Sequence, residues 1–169
     1  MASIGTFTKH NLKAQGFGNL DDSAMSRVQW PLRFTPGVSV SLIAIGLALH
    51  SQFWLGAMAL VALSGALLPK GMLIDLLYNF GARHLFHAQP LPPSPKPRQF
   101  SYALSTVFLA GSALSFHYGF PVLGLVLGGL VCIAGTVLTT TLWCLGSWYH
   151  NFLFSRKLVA TAERKRVEP

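Results

Sequence analysis

Acid is nearly missing from this chain. Its 169 residues carry 5 Asp and Glu against 13 Lys and Arg, and Asp75 is the only carboxylate between positions 23 and 162. Paired-carboxylate acid–base chemistry therefore has no second member. A proton-driven pump would lack the intramembrane acid it needs. Charge of either sign is scarce at 11%, where a soluble domain carries about 25%. Cysteine is limited to Cys132 and Cys144, twelve positions apart on one predicted helix. That is about 18 Å at 1.5 Å per residue, too far for a disulfide. Ser147 stands where a C-x-x-C pair would place its second thiol, which removes a simple dithiol reading. No phosphate loop, dinucleotide glycine pattern, serine triad or HExxH is present, and no motif implies a cofactor. The first thirty residues have no apolar core, so no cleavable signal peptide is expected there.

What the chain has instead is apolar length. Mean hydropathy is +0.47. Four apolar stretches stand out, 31–49, 53–68, 100–116 and 121–143. A bilayer span needs about 20 such residues, with about 17–25 tolerated. The fourth stretch is comfortable. The first and second are short, and reach across only with help from headgroup-level Trp30 and Arg33 or a thinned bilayer; a shallow hairpin is the alternative. Crossing at each stretch puts all thirteen cations on one side. Lys9, Lys13, Arg27 and Arg33 precede or open the first span; Lys70, Arg83, Lys96 and Arg98 sit in the 69–99 loop; Arg156, Lys157, Arg164, Lys165 and Arg166 sit in the tail. The short connections near positions 50 and 118 carry none. Positive residues are retained in the cytoplasm, so both termini and the long loop read as cytoplasmic. The net charge of +8 then reads as a topology signal and a contact with anionic lipid, with no nucleic-acid partner. All four Trp residues (Trp30, Trp143 and Trp148 inside, Trp54 outside) lie near span ends, as do Tyr102, Tyr118 and Tyr149, which is the pattern of an aromatic belt.

Three segments make up the expected organisation: a flexible cytoplasmic segment 1–29, a membrane domain 30–155, and a basic tail 156–169. Pro31 and Pro36 suit the first turn of a helix, where the missing N–H is not needed. Asp75, Asn79, Arg83 and His87 recur every four residues, a polar stripe on a helix otherwise bearing Leu73, Ile74, Leu77, Phe80 and Phe86. Such a helix is expected to lie in the interface, apolar side down. Five prolines between positions 90 and 98 specify an extended segment, a stiff spacer or a docking peptide for an aromatic groove.

The fourth stretch carries small residues at four-residue steps: Gly124, Gly128, Cys132, Thr136, Thr140 and Cys144. The first two form a GxxxG pair, which lets helix backbones approach. A four-residue step drifts about 40° per repeat, so the stripe wraps around the helix. Cys144 is the one candidate catalytic group, as a cytoplasm-facing thiol; the alternative is a packing residue of the stripe. His84, His87 and His150 are candidate metal ligands, a weak signal at this spacing. Asp75 and Arg83 form a candidate structural ion pair on the stripe, with Arg33 a second partner for Asp75.

Arg33, Asp75, Arg83, the Pro97-Arg98-Gln99-Phe100 opening of the third stretch, and Trp143-Cys144-Leu145-Gly146-Ser147-Trp148-Tyr149 carry a resemblance. Over roughly residues 28–155 the chain resembles the bacterial integral-membrane family catalogued as domain of unknown function 4395. The family pattern includes Phe-Cys-x-x-Cys or Phe-Cys-x-x-Ser, and this chain departs from the dithiol form at Ser147. The resemblance implies fold and location, a bacterial inner-membrane protein, and no established activity. The combined expectation is an all-α, four-helix transmembrane bundle with a cytoplasmic interfacial helix. Its expected role is non-enzymatic, an accessory or scaffold subunit with a membrane-protein partner or a second copy of itself. The alternatives are a thiol- or sulfur-handling protein using Cys144, and a small oligomeric transporter.

Overall fold

The computed structural model describes residues 5–68, 72–83 and 90–152, and among these every regular element is helical. Helix α1 (Thr6–Leu12) runs into a π-helical turn at Lys13–Phe17. Four long helices follow: α2 (Asp22–Ala48), α3 (Gln52–Leu67), and, after the short α4 (Leu73–Leu77) with its π turn Tyr78–Ala82, α5 (Lys96–His117) and α6 (Pro121–Thr141). A last helix, α7, covers residues 145–152. Each long helix packs against two others: α3 on α5, α5 on α6, α6 on α2, and α2 on α3. The four thus close a ring around a common interior.

Helices α3, α5 and α6 lie where the apolar stretches predict them. Ser51 opens α3 by accepting the Trp54 N–H on its hydroxyl, and Pro121 occupies the first position of α6. Helix α2 departs from expectation at its start. It begins at Asp22, not at Pro31, so Pro31 and Pro36 lie inside it and both are buried. Asp21 is extended (φ −72°, ψ 164°) and Asp22 places negative charge in the first turn, where the helix dipole favours it. The Ser23 hydroxyl donates to Asp21 at 2.7 Å, which holds that carboxyl below its ordinary range.

By length and composition two helices, α2 and α6, qualify to cross a membrane, where four spans are expected from the sequence. Helix α3 is apolar but has only 16 residues, about 24 Å at 1.5 Å per residue, and α5 opens with Lys96-Pro97-Arg98. Only 11% of the most apolar stretch of α6 is buried, against 39% for α2.

Two apolar clusters divide the interior. The first lies within the ring and joins Ile43, Leu47, Leu55, Met58, Ala62 and Leu109. Glycines let its helices approach: a Cβ at Gly128 would strike the Leu47 side chain, and one at Gly124 would lie 2.8 Å from the Phe116 ring. The GxxxG pair is thus filled from within the chain. Of the other stripe residues on α6, Cys132 is half-buried, whereas Thr136 and Thr140, expected to pack, are exposed because a four-residue step drifts around the helix. The inward face of α6 continues instead through Gly135, whose Cβ would strike Val40.

The second cluster closes the other end of the ring: Leu12, Phe17, Met25, Val28, Leu32, Tyr78, Leu91 and Leu142. Here the N-terminal segment, expected to be flexible, is helical and packed, with Leu12 and Met25 fully buried. Its amides serve the end of α6. Asn11 Nδ2 donates to the Thr141 carbonyl at 3.0 Å and Gln15 Nε2 to the Leu142 carbonyl at 2.5 Å. Leu142 is left-handed (φ 55°), so the helix stops there, and its last carbonyls need partners from elsewhere. Gly16 (φ +99°) packs on the proline segment; a Cβ there would lie 2.6 Å from Pro95 Cβ, and the φ suits glycine alone. The prolines therefore lie against the chain's own N-terminal region.

The stripe on α4 points the opposite way from expectation. Asp75 is 3% exposed and faces the ring, whereas Leu77 and Phe80 are 70% and 80% exposed. Among the described residues the partners of Asp75 are Thr35, the Met72 N–H and Arg98, and they draw it inward.

Candidate functional site

The polar heart of the molecule lies between the two clusters. Asp75, in the first turn of α4, accepts the Met72 N–H at 3.1 Å and the Thr35 hydroxyl at 2.5 Å. Its charge partner is Arg98, whose Nη2 stands 3.9 Å from Asp75 Oδ1; both side chains are almost fully buried. Arg98 Nε donates to the Tyr102 hydroxyl at 2.9 Å, one helical turn on, so Tyr102 serves the interior instead of the aromatic belt. Ser101 Oγ lies 3.0 Å from Cys144 Sγ, and the same hydroxyl donates to the Pro97 carbonyl at 3.1 Å. With its one proton on Pro97, Ser101 is left to accept from the Cys144 thiol. Gly146 makes this crossing close: a Cβ there would lie 2.9 Å from Ser101 Cα.

The structure brings together some sequence candidates and separates others. Asp75 pairs with Arg98 and not with the expected Arg83. The i+4 spacing that would align Asp75 with Arg83 is broken by the π turn Tyr78–Ala82, which winds i→i+5. Nor does Arg33 join Asp75; its Nε is buried without a hydrogen-bond partner among the described residues. Cys144 is buried, 7% exposed, at the foot of the ring. Ser147 is buried beside it, with Oγ unpartnered among the described residues. His84 and His87 lie outside the described residues. His150 packs its ring 5.6 Å from Phe100. Among the described residues no three potential ligands converge as a metal site.

Sequence reasoning missed Arg98, Tyr102, Ser101 and Thr35 as members of one cluster. Arg98 counted only as a topology charge, although its place in Pro97-Arg98-Gln99-Phe100, inside the opening turn of an apolar helix, was the available signal. Thr35 carried no signal, since its role exists only once α4 folds against α2.

Above the cluster lies a cavity of about 140 Å³. Arg98, Tyr102, Ser101 and Cys144 line one end of it; Ile43, Met58, Leu109 and Val131 line the rest. The arrangement can offer hydrogen bonds from a guanidinium and a phenol to something held in a largely apolar chamber.

Against known proteins, residues 30–155 match the family described as Domain of unknown function (DUF4395), and the chain belongs to it. No curated protein and no solved structure matches the chain.

Proposed function

We propose that this DUF4395 member is a four-span membrane protein of the bacterial inner membrane, with both termini in the cytoplasm, acting as a non-enzymatic accessory subunit. The observation that carries the membrane reading is the outward face of the ring. Phe53 (82% exposed), Val107 (68%), Val122 (74%) and Ile133 (63%) come from three different long helices. Soluble monomers rarely expose contiguous apolar patches beyond a few hundred Å². Hydroxyls on these helices support it. Ser41, Thr136 and Thr140 are exposed, yet each donates to a carbonyl of its own helix, at 3.0, 2.8 and 2.9 Å. This is how a hydroxyl is satisfied where water is missing. Short α3 is accommodated by bilayer thinning, and α5 crosses from Phe100 onward with Arg98 neutralised by Asp75. The inward turn of Asp75 and outward turn of Leu77 and Phe80 fit α4 dipping into lipid with its charge toward protein.

The topology is tested with single cysteines at Ser51 and Gly119 in a background lacking native cysteines. An impermeant thiol reagent added to intact cells is expected to label both, and labelling of neither sinks the four-span reading. Native mass spectrometry of gently solubilised protein is expected to show a second protein subunit or a second copy. A bare monomer carrying only lipid would overturn the accessory role.

The thiol reading has one observation in its favour: Cys144 lines the same cavity as Arg98.

A further inference from the structure

We infer that the cavity above Arg98 is a binding site for a small monocarboxylate with an apolar body, taken up from the membrane side. The inference goes beyond the accessory role; its route of uptake rests on the membrane reading above, whereas binding at Arg98 does not. Four observations converge on it.

The first is the state of Arg98. Its side chain is 4% exposed, and its only hydrogen bond among the described residues runs from Nε to Tyr102. The Asp75 carboxylate at 3.9 Å supplies charge balance without a hydrogen bond. The two terminal nitrogens of the fork make no hydrogen bond among the described residues, and Arg98 lines the cavity. A planar fork with free ends matches a carboxylate with two parallel hydrogen bonds.

The second is Tyr102. Its oxygen already accepts from Arg98, so its own proton is left for a ligand oxygen at the same end of the cavity. Asp75, the one acid in the neighbourhood, is already engaged by Thr35 and the Met72 N–H and does not line the cavity. The polar end thus presents donors, which select an acceptor head.

Third, apart from the hydroxyls of Thr35, Ser39 and Ser105 the rest of the lining is apolar, and the volume is about 140 Å³. A dry cavity of roughly 150 Å³ holds a benzene-sized molecule. The body of the ligand is therefore a ring or a short chain, and not a lipid acyl tail. Fourth, Leu104 and Leu145 also line the cavity, and each is about two-fifths exposed, at 40% and 41%. They carry the wall to the outside of the ring, where an amphipathic acid partitions into the bilayer surface.

The test uses the full chain in lipid nanodiscs, with benzoate as probe and benzyl alcohol as its uncharged counterpart. Benzoate is expected to raise the melting temperature saturably, and to bind at least about tenfold more tightly than benzyl alcohol, the scale of a hydrogen bond to a charged group. Arg98→Gln should erase that preference. Val131→Phe, which fills the chamber without touching Arg98, should abolish both effects. No saturable benzoate effect, equal binding of benzyl alcohol, or a preference that survives Arg98→Gln overturns the proposal. If Arg98→Gln fails to fold, Val131→Phe decides: a benzoate effect that persists in that variant places the ligand elsewhere and overturns it.

Discussion

The two ends of this molecule are held together by different physics. Within the ring, apolar side chains meet across helices brought close by Gly46, Gly124, Gly128 and Gly135, and the contacts are those of van der Waals packing. At the basal end, side chains reach across the fold to named polar partners: Asn11 and Gln15 to the carbonyls ending α6, Thr35 and Arg98 to Asp75, Asn151 to the Ala14 carbonyl at 2.8 Å. Lipid tails are as apolar as the ring's side chains, so apolar burial alone gives little preference for helix over lipid. Shape and small residues do that work in the ring. Directional bonds do it at the basal end. The difference teaches that the polar groups here specify how the ends close, and the glycines specify how near the walls stand.

The sharpest way to break this contrast is Asp75→Ala. It removes the acceptor for Thr35 and the Met72 N–H and leaves Arg98 buried without a counter-charge. A loss of about 3 kcal/mol is expected, since truncating one member of a buried pair costs about 3–5 kcal/mol. Thermal unfolding in mild detergent measures it. The double variant Asp75→Ala with Arg98→Met should recover part of the loss, because no isolated charge remains. A single variant as stable as the parent would show that the basal end does not depend on this pair.

Gly128→Leu tests the ring. Even a Cβ at this position collides with Leu47, and it would lie 3.1 Å from the Ser112 hydroxyl, which donates to the Gly124 carbonyl at 2.7 Å. Overpacking of this kind costs about 1–3 kcal/mol. The same unfolding measurement is expected to show a smaller loss than Asp75→Ala. Unchanged stability would mean that α2, α5 and α6 separate without cost.

The smallest effect is expected from Cys144→Ser. Serine keeps the size and the contact with Ser101, and a volume-conserving change costs less than about 1.5 kcal/mol. Insertion and cellular function should be nearly unchanged. A growth phenotype abolished while the protein is still made and inserted would instead establish Cys144 as a working thiol, since a serine hydroxyl is a far weaker nucleophile.

The apolar half was largely legible in the sequence and the polar half was not. Helix type, the places of α3, α5 and α6, and the wrapping of the Gly124–Thr140 stripe follow from hydropathy and from 3.6 residues per turn, which are local properties of the chain. Which stripe residues turn inward was not legible: Thr136 and Thr140, expected to pack, are exposed. The start of α2 was misread because Pro31 and Pro36 look like openers, while Asp21 and Asp22 open the helix earlier. By contrast, the N-terminal segment reads as flexible in isolation, since Gly16 and Gly18 interrupt it. Only the unfilled carbonyls at Thr141 and Leu142, more than a hundred residues away, give Asn11 and Gln15 something to bind. Arg98 looked like a loop charge, and Asp75 like the partner of Arg83, until a π turn rotated the stripe and folding set α4 against α2 and α5. By itself the sequence determined that the long apolar segments are helical and that acid is too scarce for paired-carboxylate chemistry. The tertiary structure alone decided which polar groups meet and where a cavity is left, because hydrogen bonds and packing gaps join positions whose separation along the chain carries no periodicity.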